Sequence, residues 1–277
     1  MKFNKRLIIL FFISIILITN HLEAYKRIVV LPPALTEIVF KLGEGDKIIG
    51  LGSYCNYPPE TSKITKVGSF MTVNYELILS LKPDLIIDYV ENIKTLNFAQ
   101  NHNIKILRLK HRTLNDIYDS ILEIGKILGK EKKGIEIVKA IKDKLNKIKN
   151  RVKKRRKILV IISRQPGTFK NMYILGQGDY LNTIIKLSGG DNIYNGKIAY
   201  PQVSEEIFYI YKPDIIVELI PNKKIDSKII QKDWERFKDE KFYKNIKIIR
   251  DNYPVIPGPR IYKTAELFFK IINNAKD

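Results

Sequence analysis

The chain has 277 residues with a formal net charge of +20, one cysteine and three histidines, and 45% of its residues are hydrophobic. This composition is too apolar and too aromatic for a disordered protein. A single cysteine excludes an internal disulfide and a cysteine-based metal cluster, while the length allows two lobes that each bury a core. The charge raises nucleic acid or an anionic membrane as a partner until its position in the chain is known.

The first 24 residues have the pattern of a secretory signal peptide. Lys2, Lys5 and Arg6 precede an almost wholly apolar segment, 7–18, and a polar stretch then ends at Ala24. Twelve residues of helix rise only about 18 Å, which is short of the roughly 30 Å hydrocarbon core of a bilayer. We therefore expect cleavage after Ala24 and, because no cysteine lies near that position, no lipid attachment there. The mature chain is expected to be soluble and periplasmic.

Beyond the signal, short β-branched runs alternate with amphipathic helical patterns. This alternation predicts parallel sheets covered by helices. The predicted strands form two series, 27–31, 47–51, 85–89 and 104–109 in the first and 157–162, 215–219 and 246–250 in the second. The expected fold class is therefore α/β, with two Rossmann-like lobes at residues 25–130 and 157–277.

A single long helix is predicted between the two lobes, over residues 131–156. The helix before it is expected to begin after Thr113, which would cap its N-terminus together with Asp116, and to end near Gly129. The connecting helix would be about 36 Å long, and because it is not a loose tether, it disfavours large hinge closure. The apolar residues that recur every three or four positions along it are Ile135, Val138, Ile141, Leu145, Ile148 and Val152.

Most of the positive charge belongs to this helix and its approach. Residues 126–157 contain 15 Lys/Arg and 3 Asp/Glu, a net charge of +12, and the signal peptide carries a further +2, which leaves +6 for both lobes together. We interpret this charge as the solvated face of the helix, and we expect no nucleic-acid partner. A role at an anionic membrane surface is the alternative left open.

Two stretches of the chain repeat each other. Residues 76–87 align with residues 206–217 at a constant offset of 130, and each contains a Lys-Pro-Asp that stops a helix before a strand. Glu76 and Glu206 occupy equivalent positions, seven residues before the proline. Each could simply complement a helix dipole, or the two carboxylates could anchor a cationic partner with two-fold symmetry. The duplication predicts a ligand cleft between its halves.

The sequence contains no nucleotide-binding loop and no hydrolase elbow, so we predict that the protein is not an enzyme. Instead, aromatic residues follow the predicted strands, where open α/β sheets bind their ligands. Flat rings suit a large planar or apolar ligand, although each ring could equally belong to the core. These aromatic candidates are Tyr54, Phe70, Tyr89, Phe169 and Tyr200.

Several motifs together resemble the helical-backbone substrate-binding proteins of ABC importers for cobalamin, haem and iron-siderophores, and the cobalamin-binding members most of all. The resemblance covers about residues 27–272. Its most specific pieces are Pro33-Ala34-Leu35-Thr36-Glu37, Ser53-Tyr54-Cys55-Asn56-Tyr57-Pro58-Pro59, Asn74-Tyr75-Glu76, Lys82-Pro83-Asp84-Leu85, Gly189-Gly190-Asp191-Asn192-Ile193, Tyr200-Pro201-Gln202-Val203-Ser204 and Gly258-Pro259-Arg260.

This resemblance implies a monomer that holds a cobalamin-type corrinoid between its lobes and delivers it to an ABC importer in the inner membrane. Glu76 and Glu206 match the two glutamates that meet arginines on the permease dimer. No catalytic residue, resident cofactor or protein metal site is implied. The ligand contacts that it implies are a backbone contact at Ala34 and the side chains of Tyr54, Phe70, Tyr89, Phe169 and Tyr200.

The chain also departs from the cobalamin binders. The cobalamin binders have an Asp and an Arg that bind the corrin side chains. At the positions that resemble these two residues, this chain has Asn252 and Ile256. Arg164 or Tyr253 is a candidate to replace them in polar ligand recognition. Trp234, the single tryptophan, falls in a helical segment that we interpret as structural.

A haem or iron-siderophore binder on the same scaffold is therefore the alternative. Haem would need an axial ligand such as His102, His111 or a cleft tyrosine, and catecholate siderophores would favour cleft-facing Arg or Lys. A zinc or manganese receptor is a further alternative, but the two histidines that remain after removal of the signal exclude a three-histidine site. The lack of cysteine ligands argues against an enzyme of nitrogenase-like architecture.

Overall fold

The computed structural model of the chain describes residues 25–69, 72–221 and 225–276. The predicted signal peptide, residues 1–24, and Phe70 lie outside the described residues. Two β-sheets, each covered by helices, are joined by one long helix, which confirms the predicted α/β class. Across the described ranges, no helix combines the length and the apolar character that crossing a membrane requires.

The first lobe contains a five-stranded sheet in the order β3-β2-β1-β4-β5, and every neighbouring pair is parallel. Its central strands are buried because helices cover both faces of the sheet. The strands are β1 Ile28–Val30, β2 Ile48–Leu51, β3 Thr65–Lys66, β4 Leu85–Tyr89 and β5 Lys105–Leu109, and the helices are α1 Pro33–Leu42, α2 Tyr75–Ser80, α3 Ile93–Asn101 and α4 Leu114–Ile127.

The helix that links the lobes, α5 Glu131–Asn150, has 20 residues and is therefore about 30 Å long. It ends six residues before the predicted position, because the chain leaves the helix at Arg151 and begins the first strand of the second sheet at Arg156, whose backbone N–H donates a hydrogen bond of 3.1 Å to the Gly189 carbonyl. The buried stripe includes Ile137, whereas Ile135 is 60% exposed, so the predicted stripe is wrong at that position. Helix α4 before it has the predicted capping box and ends before a left-handed glycine.

The second lobe contains a sheet in the order β11-β10-β6-β7-β9, with β8 paired to β6. Strands β7 and β9 are antiparallel to their neighbours, so this sheet is mixed and not wholly parallel as predicted. The connection from β6 to β7 is too short to cross the sheet, and the chain therefore returns antiparallel. The elements are β6 Arg156–Ser163, β7 Met172–Ile174, α6 Tyr180–Leu187, β8 Gly190–Asn192, β9 Gln202–Val203, α7 Glu206–Tyr211, β10 Ile215–Leu219, α8 Ser227–Glu235, β11 Ile246–Ile249 and α9 Ile261–Asn273.

The repeat found in the sequence is also a repeat of backbone geometry. Lys82 after α2 and Lys212 after α7 both adopt a left-handed conformation, with φ of 49° and 46°. The Asp84 carboxylate accepts a hydrogen bond of 2.8 Å from the backbone N–H of Lys26, just before β1. The Asp214 carboxylate accepts one of 2.8 Å from the backbone N–H of Lys157 in β6. The two junctions therefore fix equivalent helices and strands in the two lobes.

Candidate ligand-binding cleft

A cavity of about 430 Å³ lies between the lobes. The first lobe contributes residues at or just after the ends of its strands, including Pro32 after β1, Tyr54 after β2, Tyr89 in β4 and His111 after β5. The second lobe contributes two short segments, Gly178 with Asp179 and Ala199 with Tyr200. The cavity is therefore at the carboxyl ends of parallel strands, the usual ligand position in open α/β sheets.

Three of the predicted aromatic residues line this cleft. Tyr54 is 70% exposed and Tyr200 is 46% exposed. The Tyr200 hydroxyl donates a hydrogen bond of 2.5 Å to Asp179, and burial together with this carboxylate raises the pKa of Tyr200. The ring of Tyr89 stacks on the His111 imidazole, with centroids 3.9 Å apart. Ligand contact by these tyrosines stays a prediction.

Two predicted contact residues do not line the cleft. Phe169 is 1% exposed and packs edge-on against Trp234, with ring centroids 4.6 Å apart, in the aromatic core of the second lobe. Its position after a predicted strand favours the cleft, but apolar packing holds the side chain inside the second lobe. Ala34 is also 1% exposed and packs against Gly258, and the preceding Pro33 lines the cleft instead.

Neither replacement candidate for polar ligand recognition reaches the cleft. The Arg164 side chain is 1% exposed, and it lies 2.7 Å from both Glu218 and Asp233. Because its charge is already balanced inside the second lobe, Arg164 is structural. Tyr253 lies beside α5 and α9, outside the residues that line the cleft.

The cleft also contains polar groups that were not predicted from the sequence. Asp88, Glu91 and Asp179 contribute three carboxyl groups, against the single guanidinium of Arg112. Burial raises the pKa of Asp88 to about 6, and burial also raises the pKa of Asp179. Most of these residues could have been predicted from their position in the sequence, because Asp88, Glu91 and Arg112 lie at or just after the ends of predicted strands, where open α/β sheets bind ligands.

His111 also lines the cleft, beside Glu91. Its Nδ1 is buried and has no hydrogen-bond partner among the described residues, and a Glu91 carboxylate oxygen lies 3.7 Å away. Burial lowers the pKa of His111, although the Glu91 carboxylate opposes this shift, so the imidazole is neutral at pH 7. His102, by contrast, is exposed at the end of α3 and is not in the cleft lining.

Direct contacts join the two lobes. The backbone N–H of Tyr180, at the start of α6, donates a hydrogen bond of 2.6 Å to the carbonyl of Arg112. The Arg260 guanidinium donates two hydrogen bonds, of 2.6 and 2.8 Å, to the Glu37 carboxylate of α1. Together with α5, these contacts connect the two lobes.

Glu76 and Glu206 lie outside the cleft, in the first turns of α2 and α7. Both are exposed, and neither carboxylate has a salt bridge to a described residue. Exposed apolar side chains lie on the same two short helices, with Leu79 37% and Ile210 71% exposed. Each lobe thus presents an exposed carboxylate, without a salt bridge to any described residue, on a helix that also carries exposed apolar surface.

The model of the family described as "Periplasmic binding protein" matches residues 28–252, and the chain belongs to this family of non-enzymatic binding proteins. It is 30% identical over 202 residues to YvrC of Bacillus subtilis strain 168, described as an uncharacterized ABC transporter substrate-binding lipoprotein. That match covers 69% of this chain and 63% of YvrC. Because YvrC is described as a lipoprotein, the comparison gives no support to the prediction that this chain lacks a lipid anchor.

Two solved structures from Vibrio cholerae are similar to the chain. The periplasmic vitamin B12 binding protein BtuF has a TM-score of 0.75 and 25% identity, over 91% of this chain and 98% of BtuF. The periplasmic haem binding protein HutB has a TM-score of 0.78 and 18% identity, over 89% of this chain and 98% of HutB. The likeness to HutB concerns the fold alone.

Proposed function

We propose that the chain is the periplasmic substrate-binding protein of an ABC importer and that it carries a cobalamin-type corrinoid in its cleft. The observation that carries this proposal is a cleft with tyrosine rings in its wall and with more carboxyl groups than cationic groups around it. The similarity to YvrC supports the importer role, and the similarity to BtuF supports the ligand class.

The balance of charge favours a corrinoid over an anionic ligand. Asp88, Glu91 and Asp179 outnumber Arg112, and His111 is neutral. The corrin ring carries carboxamide groups, whose N–H groups can donate hydrogen bonds to carboxylates. Haem carries two propionates and ferric catecholates are anionic, so either would bring negative charge beside these carboxyl groups and be disfavoured.

A haem or iron complex is the second candidate, and it is favoured by the histidine in the cleft. His111 is of the residue type that ligates haem iron. A zinc or manganese receptor has less support, because no three His, Cys, Asp or Glu side chains within residues 25–69, 72–221 and 225–276 come together to hold an ion.

The proposal includes delivery to a permease dimer. Glu76 and Glu206 are equivalent by the internal repeat, exposed, and without salt bridges to described residues. A pair of free carboxylates, one on each lobe, suits a partner that presents one cationic group from each of two equivalent subunits. The exposed Leu79 and Ile210 beside them would add apolar contact area.

The ligand that co-purifies with the protein tests the proposal. The protein is exported in a host that makes or takes up both corrinoids and haem, and it is purified without denaturation. We expect the visible absorption bands of a corrinoid and cobalt in proportion to the protein. A haem Soret band with iron, and no cobalt, would contradict the corrinoid assignment and favour the second candidate.

A further inference from the structure

We propose that a basic surface around the C-terminal end of α5 binds the phosphate headgroups of an anionic phospholipid membrane. The surface consists of two grooves, one between α5 and α9 and one between the end of α5 and α6. It shares no residue with the lining of the cleft, and neither ligand binding nor permease docking uses it. The sequence alone favours a merely solvated helix face, whereas the structure gathers much of the charge into these two grooves.

The first groove, of about 490 Å³, combines cationic and apolar side chains. Ile148 of α5 is buried there, and Tyr262 and Leu267 of α9 are half-buried. The Lys144 ammonium lies 3.9 Å from the centroid of the Tyr262 ring. Lysine side chains can cover apolar surface with their methylene groups while the charge stays at the outside. The cations that line this groove are Lys144, Lys147, Arg151, Lys263 and Lys270.

The second groove, of about 560 Å³, has the same combination of side chains. Val152 and Leu187 are half-buried in it, and no acidic side chain of the described residues lines it. The last turn of α5 and the residues just after it contribute to both grooves, so the two grooves adjoin. The cations that line the second groove are Lys149, Lys153, Arg155 and Lys186, all of them exposed.

The arginines of this surface are occupied and its lysines are not. Arg151 pairs with Glu266 at 3.2 Å, and Arg155 pairs with Asp191 at 2.6 Å. None of the seven groove lysines has a salt bridge to a described residue. Arginine is the side chain that fixes a single phosphate in a defined two-pronged geometry, whereas lysine acts as a point charge.

This pattern favours a membrane over a single phosphate site or a nucleic acid. Seven unpaired point charges suit a surface of many mobile headgroups, and the field of such a surface attracts clustered lysines. The apolar side chains between the lysines fit the boundary between headgroups and acyl chains, where amphipathic surfaces bind. A sugar-phosphate backbone offers no such apolar boundary.

The basic surface and the cleft lie at opposite ends of α6. Asp179, just before this helix, lines the cleft, and Lys186 and Leu187 at its other end line the second groove. Arg155, also in that groove, directly precedes β6, so the basic surface is at the amino ends of strands and the cleft at carboxyl ends. A membrane on the basic surface therefore leaves the cleft open to solution. We expect ligand capture to continue on the membrane, with permease docking as a separate state.

Co-sedimentation with lipid vesicles tests the inference. The mature chain is mixed with vesicles of phosphatidylglycerol and phosphatidylcholine in equal parts, and with vesicles of phosphatidylcholine alone. We expect binding to the anionic vesicles only, at about 0.05 M salt, and its loss at about 0.5 M salt, because salt screens exposed charges. Replacement by glutamine of four exposed groove lysines should weaken this binding about tenfold or more. The four are Lys147, Lys149, Lys186 and Lys270.

A control variant removes the same number of charges elsewhere. Glutamine replaces four exposed lysines of the first lobe, Lys41, Lys63, Lys94 and Lys105, and binding should stay close to that of the wild type. Circular dichroism checks that both variants are folded. Equal losses in the two variants would overturn the inference, because net charge and not this surface would then explain the binding.

Three further results would overturn the membrane assignment. They are absence of binding to anionic vesicles, saturable binding of soluble glycerol phosphate that displaces the vesicles, and tighter binding of a duplex oligonucleotide than of the vesicles. The first would leave the basic surface without a membrane role, the second would indicate a discrete anion site, and the third a nucleic-acid surface. No corrinoid is present in these assays, so their failure leaves the proposed function standing, and failure of corrinoid binding leaves this inference standing.

Discussion

Glu37 and Arg260, 223 residues apart in the chain, form a two-armed salt bridge between helix α1 of the first lobe and the N-terminal end of α9 in the second. The Glu37 side chain is 3% exposed and that of Arg260 15%. Burial raises the pKa of Glu37 in spite of the opposing effect of Arg260. A buried ion pair of this kind fixes the two lobes more than it adds stability, because removing both charges from water offsets much of their attraction.

Removal of one partner of this pair should be costly, whereas removal of both should not. We expect Glu37→Ala to lower the free energy of unfolding by about 3 kcal/mol, because Arg260, with a side chain only 15% exposed, is left without this counter-charge. The double variant Glu37→Leu with Arg260→Met should recover most of this loss. Urea denaturation measures both. Equal losses in the single and double variants would contradict this balance between attraction and desolvation.

Asp88 should make stability depend on pH near 6. Its pKa is raised from 3.8 to about 6, so between these pH values the folded protein binds a proton that the unfolded chain has already released. The free energy of unfolding therefore falls as the pH rises from 4 to 6. Asp88→Asn keeps an acceptor for the Tyr89 backbone N–H and should raise the free energy of unfolding at pH 7.5 by up to about 3 kcal/mol.

The gain from Asp88→Asn should shrink as the pH is lowered and vanish near pH 4. Denaturation of the ligand-free protein across this range measures it, with Glu123→Gln as a control because Glu123 is exposed on α4. A gain that stays constant with pH would show that the ionisation of Asp88 is not its cause.

The cleft tyrosines should contribute directly to ligand affinity. We expect Tyr89→Ala and Tyr200→Ala each to raise the Kd for the corrinoid about tenfold to a hundredfold, since a large aromatic contact is worth on the order of 1–3 kcal/mol. Tyr173→Ala is the matched control, because Tyr173 is 45% exposed but lies on β7 outside the cleft. Similar effects for all three variants would indicate a general loss of stability instead of lost contacts.

Glu76 and Glu206 should affect transport without affecting ligand binding. We expect Glu76→Ala and Glu206→Ala to leave the Kd nearly unchanged and to reduce uptake by cells that carry the permease, with the double variant the weakest. Glu123→Ala and Glu235→Ala, exposed carboxylates on α4 and α8, are the controls for the two lobes. A raised Kd for the ligand in these variants, with no loss of uptake beyond what the weaker binding explains, would contradict the assignment of Glu76 and Glu206 to permease docking.

Much of the fold could be predicted because local patterns decide it. The predicted strands 85–89 and 215–219 coincide with β4 and β10, since each begins after a proline stop and continues as a β-branched run. The capping box of α4 is equally local. The mixed second sheet was missed, because its strands β7 and β9 have three and two residues and show no periodicity.

The site could be predicted only in part, because it depends on contacts between distant residues. Tyr89 and Phe169 look alike in the sequence, but Phe169 is surrounded by Trp234 and other aromatic rings that arrive from α7 and α8. The pairing of Glu37 with Arg260 has no local signal at all. The approach of Glu91 to His111, at 3.7 Å, likewise joins residues from two different strand connections.

Calorimetric titration of the mature chain with cyanocobalamin, compared with haemin and a ferric catecholate under the same conditions, tests the central claim most directly. The neutral, carboxamide-rich corrinoid fits the acidic cleft, so we expect saturable one-to-one binding of cyanocobalamin with a Kd in the micromolar range or below, and weaker binding of both anionic ligands. Tight binding of haemin or of the ferric catecholate, without binding of cyanocobalamin, would contradict the claim that this cleft carries a corrinoid.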